Sequence, residues 1–374
     1  MAGQPPFTIR SVAIGREGEI GLVVPRRALI LGLALAATPS PGADLAQAPR
    51  IARPAPVDPK TPNGVLPLPP AVIDNTLAIG GTDVRAKQAD TRLNVEVRLN
   101  GHGPYHFVVD SGADTSAVGL RIARDLQLPL GQPAILNGMT SRDVVDRVKV
   151  DSLAMGQSMI RDLEVPALRE IDLGGDGLVG IDALVRQRLM MDFEKKVIKI
   201  EDASVPIRYS PGDIVITAKR QRGQLILTQV KTGGVRMDAV IDTGSEVSIG
   251  NTALRDKLLR RNRYWTVEAI GVTGRTMNLQ MALVPEMQLG PVTLHNVPIA
   301  FADVPPFKSF GIDDGPALLL GTDILETFRR VSLDFKARKV RFQLRACDQG
   351  VSVSTAPEET LTRVSSVGPE ICGR

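Results

Sequence analysis

The sequence predicts an all-β fold of two lobes related by pseudo-twofold symmetry, with few short helices. Three observations predict it. Val95–Gly101 (VEVRLNG) and Phe107–Ala113 (FVVDSGA) recur as Leu227–Gly233 (LTQVKTG) and Ala239–Ser245 (AVIDTGS), both at an offset of 132 residues, which Ser116 and Ser248 also keep. Further on, Gly177–Leu184 (GLVGIDAL) resembles Leu318–Leu325 (LLLGTDIL), and each is followed by an Asp-Phe pair, Asp192-Phe193 and Asp334-Phe335. The offset at the glycines Gly180 and Gly321 has grown by nine, so the second unit carries an insertion. Finally, Val95, Val97 and Leu99 alternate with polar residues, as do Ile214 and Ile216 and then Leu225 and Leu227. Period-2 alternation bounded by Gly and Asn signals half-buried strands in hairpins.

Each element follows in order. Phe107-Val108-Val109 and Ala239-Val240-Ile241 are continuous apolar runs, as interior strands require. Short helices are expected around 119–127, 181–189, 251–260 and 322–328. The first unit spans about 90–202 and the second about 213–345. A turn-forming linker occupies 203–212, where Tyr209-Ser210-Pro211-Gly212 stands. A C-terminal tail occupies 346–374.

The N-terminus reads as an export address. Arg26-Arg27 precede the apolar run Ala28–Ala37, and Ala46-Gln47-Ala48 supplies a small-residue cleavage signal. Residues 1–48 are therefore expected to form a signal-peptide region, with Met1 an over-extended start and Pro49 an awkward neighbour for a cut after Ala48. The run is too short for a membrane span, which needs about 20 apolar residues. The mature protein is expected to have no stable membrane span and to be periplasmic or secreted. Prolines crowd residues 49–70, so 49–89 is expected to be an extended tether and lead-in.

Composition excludes several classes. Net charge is only +4 over 374 residues, with no dense basic block interleaved with aromatics, so no nucleic-acid partner is expected. Two cysteines without CxxC spacing and three histidines leave no zinc pattern; no metal and no cofactor are expected. Cys347 and Cys372 either pair in an oxidising compartment or stay as thiols. Gly175–Gly180 spells GxGxxG, but its surroundings are β-repeat rather than βαβ, so phosphate binding is not expected. Asp192 and Asp334 stand at strand entrances before basic turns and read as capping or pairing residues.

Asp110-Ser111-Gly112 and Asp242-Thr243-Gly244, each after apolar strand residues, resemble the catalytic motif of aspartic peptidases. The likeness is closest to bacterial retropepsin-like proteins, and extends to the pepsin-like type with two lobes in one chain. It covers roughly 90–345. It implies two acid-protease-like β-barrels, with Gly180 and Gly321 as structural landmarks beside the catalytic strands. It implies that Asp110 and Asp242 are catalytic and that the hydroxyls of Ser111 and Thr243 bond across the lobes. It also implies glycine-bearing flaps over substrate: Gly138, Met139 and Thr140 in one unit, and Gly271, Val272, Thr273 and Gly274 in the other.

The chemistry needs this arrangement. Two carboxylates sharing one proton activate a water, one as base and one as acid, because like charges about 3 Å apart cannot both ionise. Gly112 and Gly244 admit backbone close to them. The copies differ after the glycine, where Ala113 faces Ser245. The Ser245 hydroxyl is expected to bond a carboxylate, making Asp242 the more ionised partner and Asp110 the proton holder.

The expected function is an aspartic endopeptidase acting on polypeptides, a monomer with an internal pseudo-dimer. The alternative is a non-catalytic acid-protease-like protein for peptide binding or envelope assembly, since fold does not fix function. A further alternative pairs each unit with its copy in another chain.

Overall fold

The structure is a computed structural model and describes residues 50–58, 64–69, 82–85, 87–89, 92–156, 158–184, 187–202, 212–221, 223–258, 264–345 and 353–355. The signal-peptide region, Cys347 and Cys372, and all of the 203–212 linker but Gly212 lie outside the described residues; of the C-terminal tail only 353–355 is described.

Each repeat folds into a closed six-stranded β-barrel. In the first, Arg92–Leu99 pairs antiparallel with His102–Val109. Gly177–Val179 then pairs parallel with His102–Val109 and antiparallel with Ala117–Gly119. Ser158–Leu168 follows, parallel to Ala117–Gly119 and antiparallel to Arg147–Met155. Arg147–Met155 closes the ring on Arg92–Leu99. The second barrel repeats this order with Gln224–Thr232, Val235–Ile241, Ala317–Leu320, Ile249–Gly250, Val292–Phe301 and Thr276–Leu289, which closes on Gln224–Thr232.

Burial explains the patterns. Val95, Val97 and Leu99 face the core while Glu96 and Arg98 are exposed. Phe107–Val109 and Ala239–Ile241 are buried throughout, being flanked by strands on both sides. Gln224–Leu227 departs from the expected alternation: all four residues are buried, because the second face of this strand is also covered.

The helices are single turns or little more: Leu120–Asp125, Ile181–Leu184, Thr252–Leu258 and Thr322–Leu325. The helix expected over 181–189 ends at Leu184, because Gln187–Asp192 is claimed by strands on both edges. Glu170–Leu173 and Pro305–Phe310 form short helices that periodicity does not reveal.

A six-stranded sheet joins the repeats, in the order Ile214–Thr217, Lys339–Leu344, Phe328–Asp334, Gln187–Asp192, Val197–Asp202 and Thr82–Arg85. At its centre Met190 faces Ser332. Arg188 faces Asp334, and Asp192 faces Arg330. Both pairs are ion pairs, Arg188 to Asp334 at 3.1 Å with both side chains buried. Each aspartate also accepts a backbone N–H of the following turn, from Lys195 and Ala337. Pairing and capping thus coincide, and the two ion pairs are related by the pseudo-twofold.

The proline-rich segment is not a free tether where it is described. Ala55-Pro56 pairs antiparallel with Arg142–Val145. Leu66–Leu68 bonds Ile135 from the opposite edge of the same hairpin: the Ile135 N–H donates to the Leu66 carbonyl at 2.8 Å, and the Leu68 N–H donates to the Ile135 carbonyl at 2.9 Å. Proline lacks a donor, but an extended chain turns alternate residues toward each edge, and Val57 and Leu68 supply the N–H groups.

Candidate active site

The two Asp-Ser/Thr-Gly loops leave the ends of interior strands and meet at the pseudo-twofold. The Asp110 N–H donates to the Val179 carbonyl at 2.9 Å and the Asp242 N–H to the Leu320 carbonyl at 3.0 Å, so each aspartate is anchored to the strand before its landmark glycine. The loops then exchange four bonds. The Ser111 N–H donates to Thr243 Oγ1 at 2.9 Å, and the Thr243 N–H donates to Ser111 Oγ at 3.2 Å. Each hydroxyl in turn donates across the interface to a strand carbonyl, Ser111 to Ile241 and Thr243 to Val109, both at 2.8 Å. Both residues are buried, so every polar atom in this exchange is paired away from water.

The carboxylates are crossed over the opposite loop. A Cβ on Gly112 would fall on the Asp242 carboxyl, and one on Gly244 would fall on the Asp110 carboxyl. Only glycine permits this approach. Asp110 Oδ1 accepts the N–H groups of Gly112 and Ala113 at 2.7 and 3.0 Å. Asp242 Oδ1 accepts those of Gly244 and Ser245, both at 3.1 Å.

Ser245 does not act as its hydroxyl suggests. Its Oγ donates to the Val247 carbonyl at 2.8 Å, and its contribution to Asp242 is the backbone N–H that Ala113 equally supplies to Asp110. Asp242 is buried, whereas Asp110 is half-buried. Burial, then the neighbouring Asp110 charge, push the Asp242 carboxyl well above the usual carboxylate range. The Ser245 hydroxyl therefore does not favour the charged form of Asp242 as expected, and desolvation disfavours it.

A layer behind the loops went unrecognised in the sequence. Gly180 and Gly321 each pack where a Cβ would strike the backbone of the adjoining aspartate loop. Their N–H groups donate to Ser116 Oγ and Ser248 Oγ, at 3.1 and 2.9 Å. Those hydroxyls donate to Asp182 and Asp323, at 2.7 and 2.6 Å. Burial raises both carboxyls despite these bonds. The signal was present: an aspartate stands two residues after each landmark glycine. The buried Gln224 breaks the symmetry, its amide donating weakly from the second repeat to the Gly112 carbonyl and Asp114, both at 3.4 Å.

The two predicted flaps meet. Met139 packs against an apolar cluster of the second repeat, and Val272 against one of the first. Thr140 lies against Gly271, while Gly274 (φ +75°) lies against the Arg169–Asp172 ion pair. Between the tips sits Asp143, fully buried. It accepts from Ser141, from Thr273 Oγ1 at 2.8 Å and from Arg275 Nε at 2.8 Å. Burial pushes this carboxyl up, but the bonds from Ser141, Arg275 and Thr273, with the Arg275 charge, outweigh it and hold it below its usual range. Ser141 and Thr273 also touch, at 2.9 Å. Asp143 and Arg275, like Ser141 and Thr273, are separated by the repeat offset of 132. The contact between the tips thus joins an acidic to a basic side chain.

Two barrels in tandem with crossed Asp-Ser/Thr-Gly loops define the aspartyl-protease class. Comparison with known families agrees. Residues 95–186 match the family described as gag-polyprotein putative aspartyl protease, and residues 228–324 match the family described as aspartyl protease. The chain carries two retropepsin-like aspartyl-protease repeats in one polypeptide, a class whose substrates are polypeptides. No curated protein matches the chain. Among the described residues no helix is long and apolar enough to cross a membrane.

Proposed function

We propose that the protein is an aspartic endopeptidase in which Asp110 and Asp242 share one proton and activate one water. The observation that carries this is the reciprocal crossing, in which each motif glycine makes room for the other repeat's carboxyl. Asp242 is assigned the proton, since burial and Asp110 both raise it. Asp110, with the shorter N–H bonds, is the ionised base. Asp110 removes a proton from water as its oxygen attacks the peptide carbonyl, and Asp242 gives its proton to the carbonyl oxygen. The tetrahedral diol collapses as Asp110 passes its proton to the leaving nitrogen and Asp242 takes one back from a diol hydroxyl; the C–N bond breaks to give a carboxylic acid and an amine, and the dyad regains its one proton. The joined flaps act as a lid that opens to admit substrate and excludes water when shut.

The site is assigned to one chain. The two flap tips are unlike and complementary, Asp143 of one pairing with Arg275 of the other, which supports pairing within the chain. A monomer with an internal pseudo-dimer follows, and the N-terminal segment with Arg26-Arg27 and its apolar run supports export to the periplasm or medium.

The test is Asp110→Asn and Asp242→Asn, each alone, assayed on unfolded polypeptides across acidic and neutral pH. Either substitution is expected to abolish cleavage with the thermal transition retained. Cleavage surviving in either one rejects the shared dyad, and no cleavage by the parent protein in any condition favours a binding protein.

A further inference from the structure

The two flap hairpins differ at their outer edges. In the first repeat the proline-rich segment covers both: Val57 N–H reaches the Arg142 carbonyl on one, and Leu66 and Leu68 bond Ile135 on the other. In the second, Tyr264–Ile270 pairs with Thr276–Leu289 on one side, and among the described residues no strand lies on the other.

Register shows what this open edge offers. Gly138 N–H donates inward to the Ser141 carbonyl, and Ile135, three residues earlier, turns outward to the covering segment. Gly271 N–H likewise donates inward to the Arg275 carbonyl. Alternation then turns the N–H and C=O of Ile270, Glu268, Thr266 and Tyr264 outward, with Glu268 in the place of Ile135. The strand is seven residues long, holds no proline and carries one charge. Tyr264, Trp265 and Ile270 are 58%, 43% and 67% exposed. Exposed edges of this kind are templates for another strand.

We propose that the edge Tyr264–Ile270 is a docking site, outside the cleft, for an extended, apolar, proline-containing stretch of the polypeptide substrate, added as a further strand. The occupant is argued from the molecule itself, since Val65-Leu66-Pro67-Leu68 fills the equivalent edge in the first repeat. That an occupant is substrate rests on the peptidase reading. A stretch bound here lies on the strand that leads into the Gly271–Gly274 flap, so it holds the substrate beside the lid during opening.

The experiment uses the full chain carrying Asp110→Asn and a capped synthetic peptide of the sequence Gly-Val-Leu-Pro-Leu-Pro. Trp265, the only tryptophan, reports binding by fluorescence, and hydrogen exchange reports protection. A saturable change with protection of 264–270 is expected. Glu268→Pro, which removes one outward N–H, weakens binding about fivefold or more, the size of one lost hydrogen bond. Tyr264→Lys, which blunts the edge without touching the backbone, weakens it too, so a folding defect in the proline variant is not decisive. In the active protein, substrates bearing this stretch beside the cleaved segment are expected to show a lower KM than those lacking it, and Tyr264→Lys removes that difference. No fluorescence change, or unchanged binding in both variants, overturns the proposal. So does protection of 264–270 that grows with protein concentration without peptide, which assigns the edge to a second copy. Because the peptide assay needs no catalysis, its failure leaves the dyad standing, and loss of the dyad leaves its result readable.

Discussion

The loops that carry Asp110 and Asp242 match one another in nearly every bond, while the hairpins that reach over them do not. In the loops the bonds exchanged by Ser111 and Thr243 are reciprocal, and the hydroxyl–carboxylate pairs behind the landmark glycines recur in each repeat, with Gln224 the exception. In the hairpins one repeat is held on both edges by its own N-terminal segment and the other, among the described residues, has an open edge, and the contact between them joins an acid to a base. Symmetry persists where the two carboxylates meet. It is dropped in the hairpins, where one is covered on both outer edges and the other, among the described residues, has no strand on its outer edge.

The sharpest break of the matched half is at its glycines. Gly112→Ala and Gly244→Ala each place a methyl group on the opposite carboxyl. A displacement of about 1 Å costs on the order of 100-fold in rate, so kcat/KM is expected to fall about 100-fold or more in both. A large loss in one and near-normal activity in the other would show that the two loops are not mechanically equivalent.

The shared sheet is the next test. Arg188→Met strands the buried Asp334 carboxylate and is expected to destabilise the fold by about 3–5 kcal/mol. Arg330 is partly exposed, so water takes over some of its role beside Asp192, and Arg330→Met is expected to cost clearly less. Denaturant unfolding of both variants orders the pair; the reverse order would contradict the burial argument.

Much of the matched half was legible in the chain. The aspartate loops, their glycines and the landmark glycines are local patterns, and a constant offset ties them together before any contact is known. The open half was not legible. Asp143 and Arg275 mean nothing as sequence until the fold brings the two flap tips together. Residues 50–58 and 64–69 look like a linker because prolines dominate, while the bonds that dock them come from Val57 and Leu68 between those prolines. The role of the Ser245 hydroxyl was misjudged because a hydroxyl beside a carboxylate need not point at it. Ser245 Oγ has a closer acceptor in Val247.

Acid acts on the hairpins and on the dyad in opposite directions. The Asp143 carboxyl is held low in the folded protein, so its stabilisation is present above the usual carboxylate range and is lost as pH falls through its depressed value. Asp242 is held high, so the singly protonated dyad is lost as pH rises through its raised value. Hydrogen exchange at 134–145 and 264–276 is expected to quicken at the acid end, and Asp143→Asn is expected to remove that dependence. Cleavage is expected to fall at the alkaline end in both proteins. An acid-end change in exchange that survives Asp143→Asn would place the switch elsewhere.

The smallest expected effect concerns the one side-chain difference inside the loops. If the Ser245 hydroxyl set the charge of Asp242, Ser245→Ala would raise the Asp242 carboxyl further and shift the alkaline limb of the pH–rate profile upward. Because that hydroxyl instead closes the turn on Val247, and because Ala113 and Ser245 supply the same backbone N–H, the profile is expected to stay where it is. Only stability changes, by about 1 kcal/mol for one hydrogen bond. The converse substitution, Ala113→Ser, is expected to leave the profile equally unmoved. The inequality of the two aspartates then rests on burial, which is fixed by what each barrel packs around its own loop, and not on the residue after the glycine. A shifted limb in Ser245→Ala would return the assignment of the proton to Asp110.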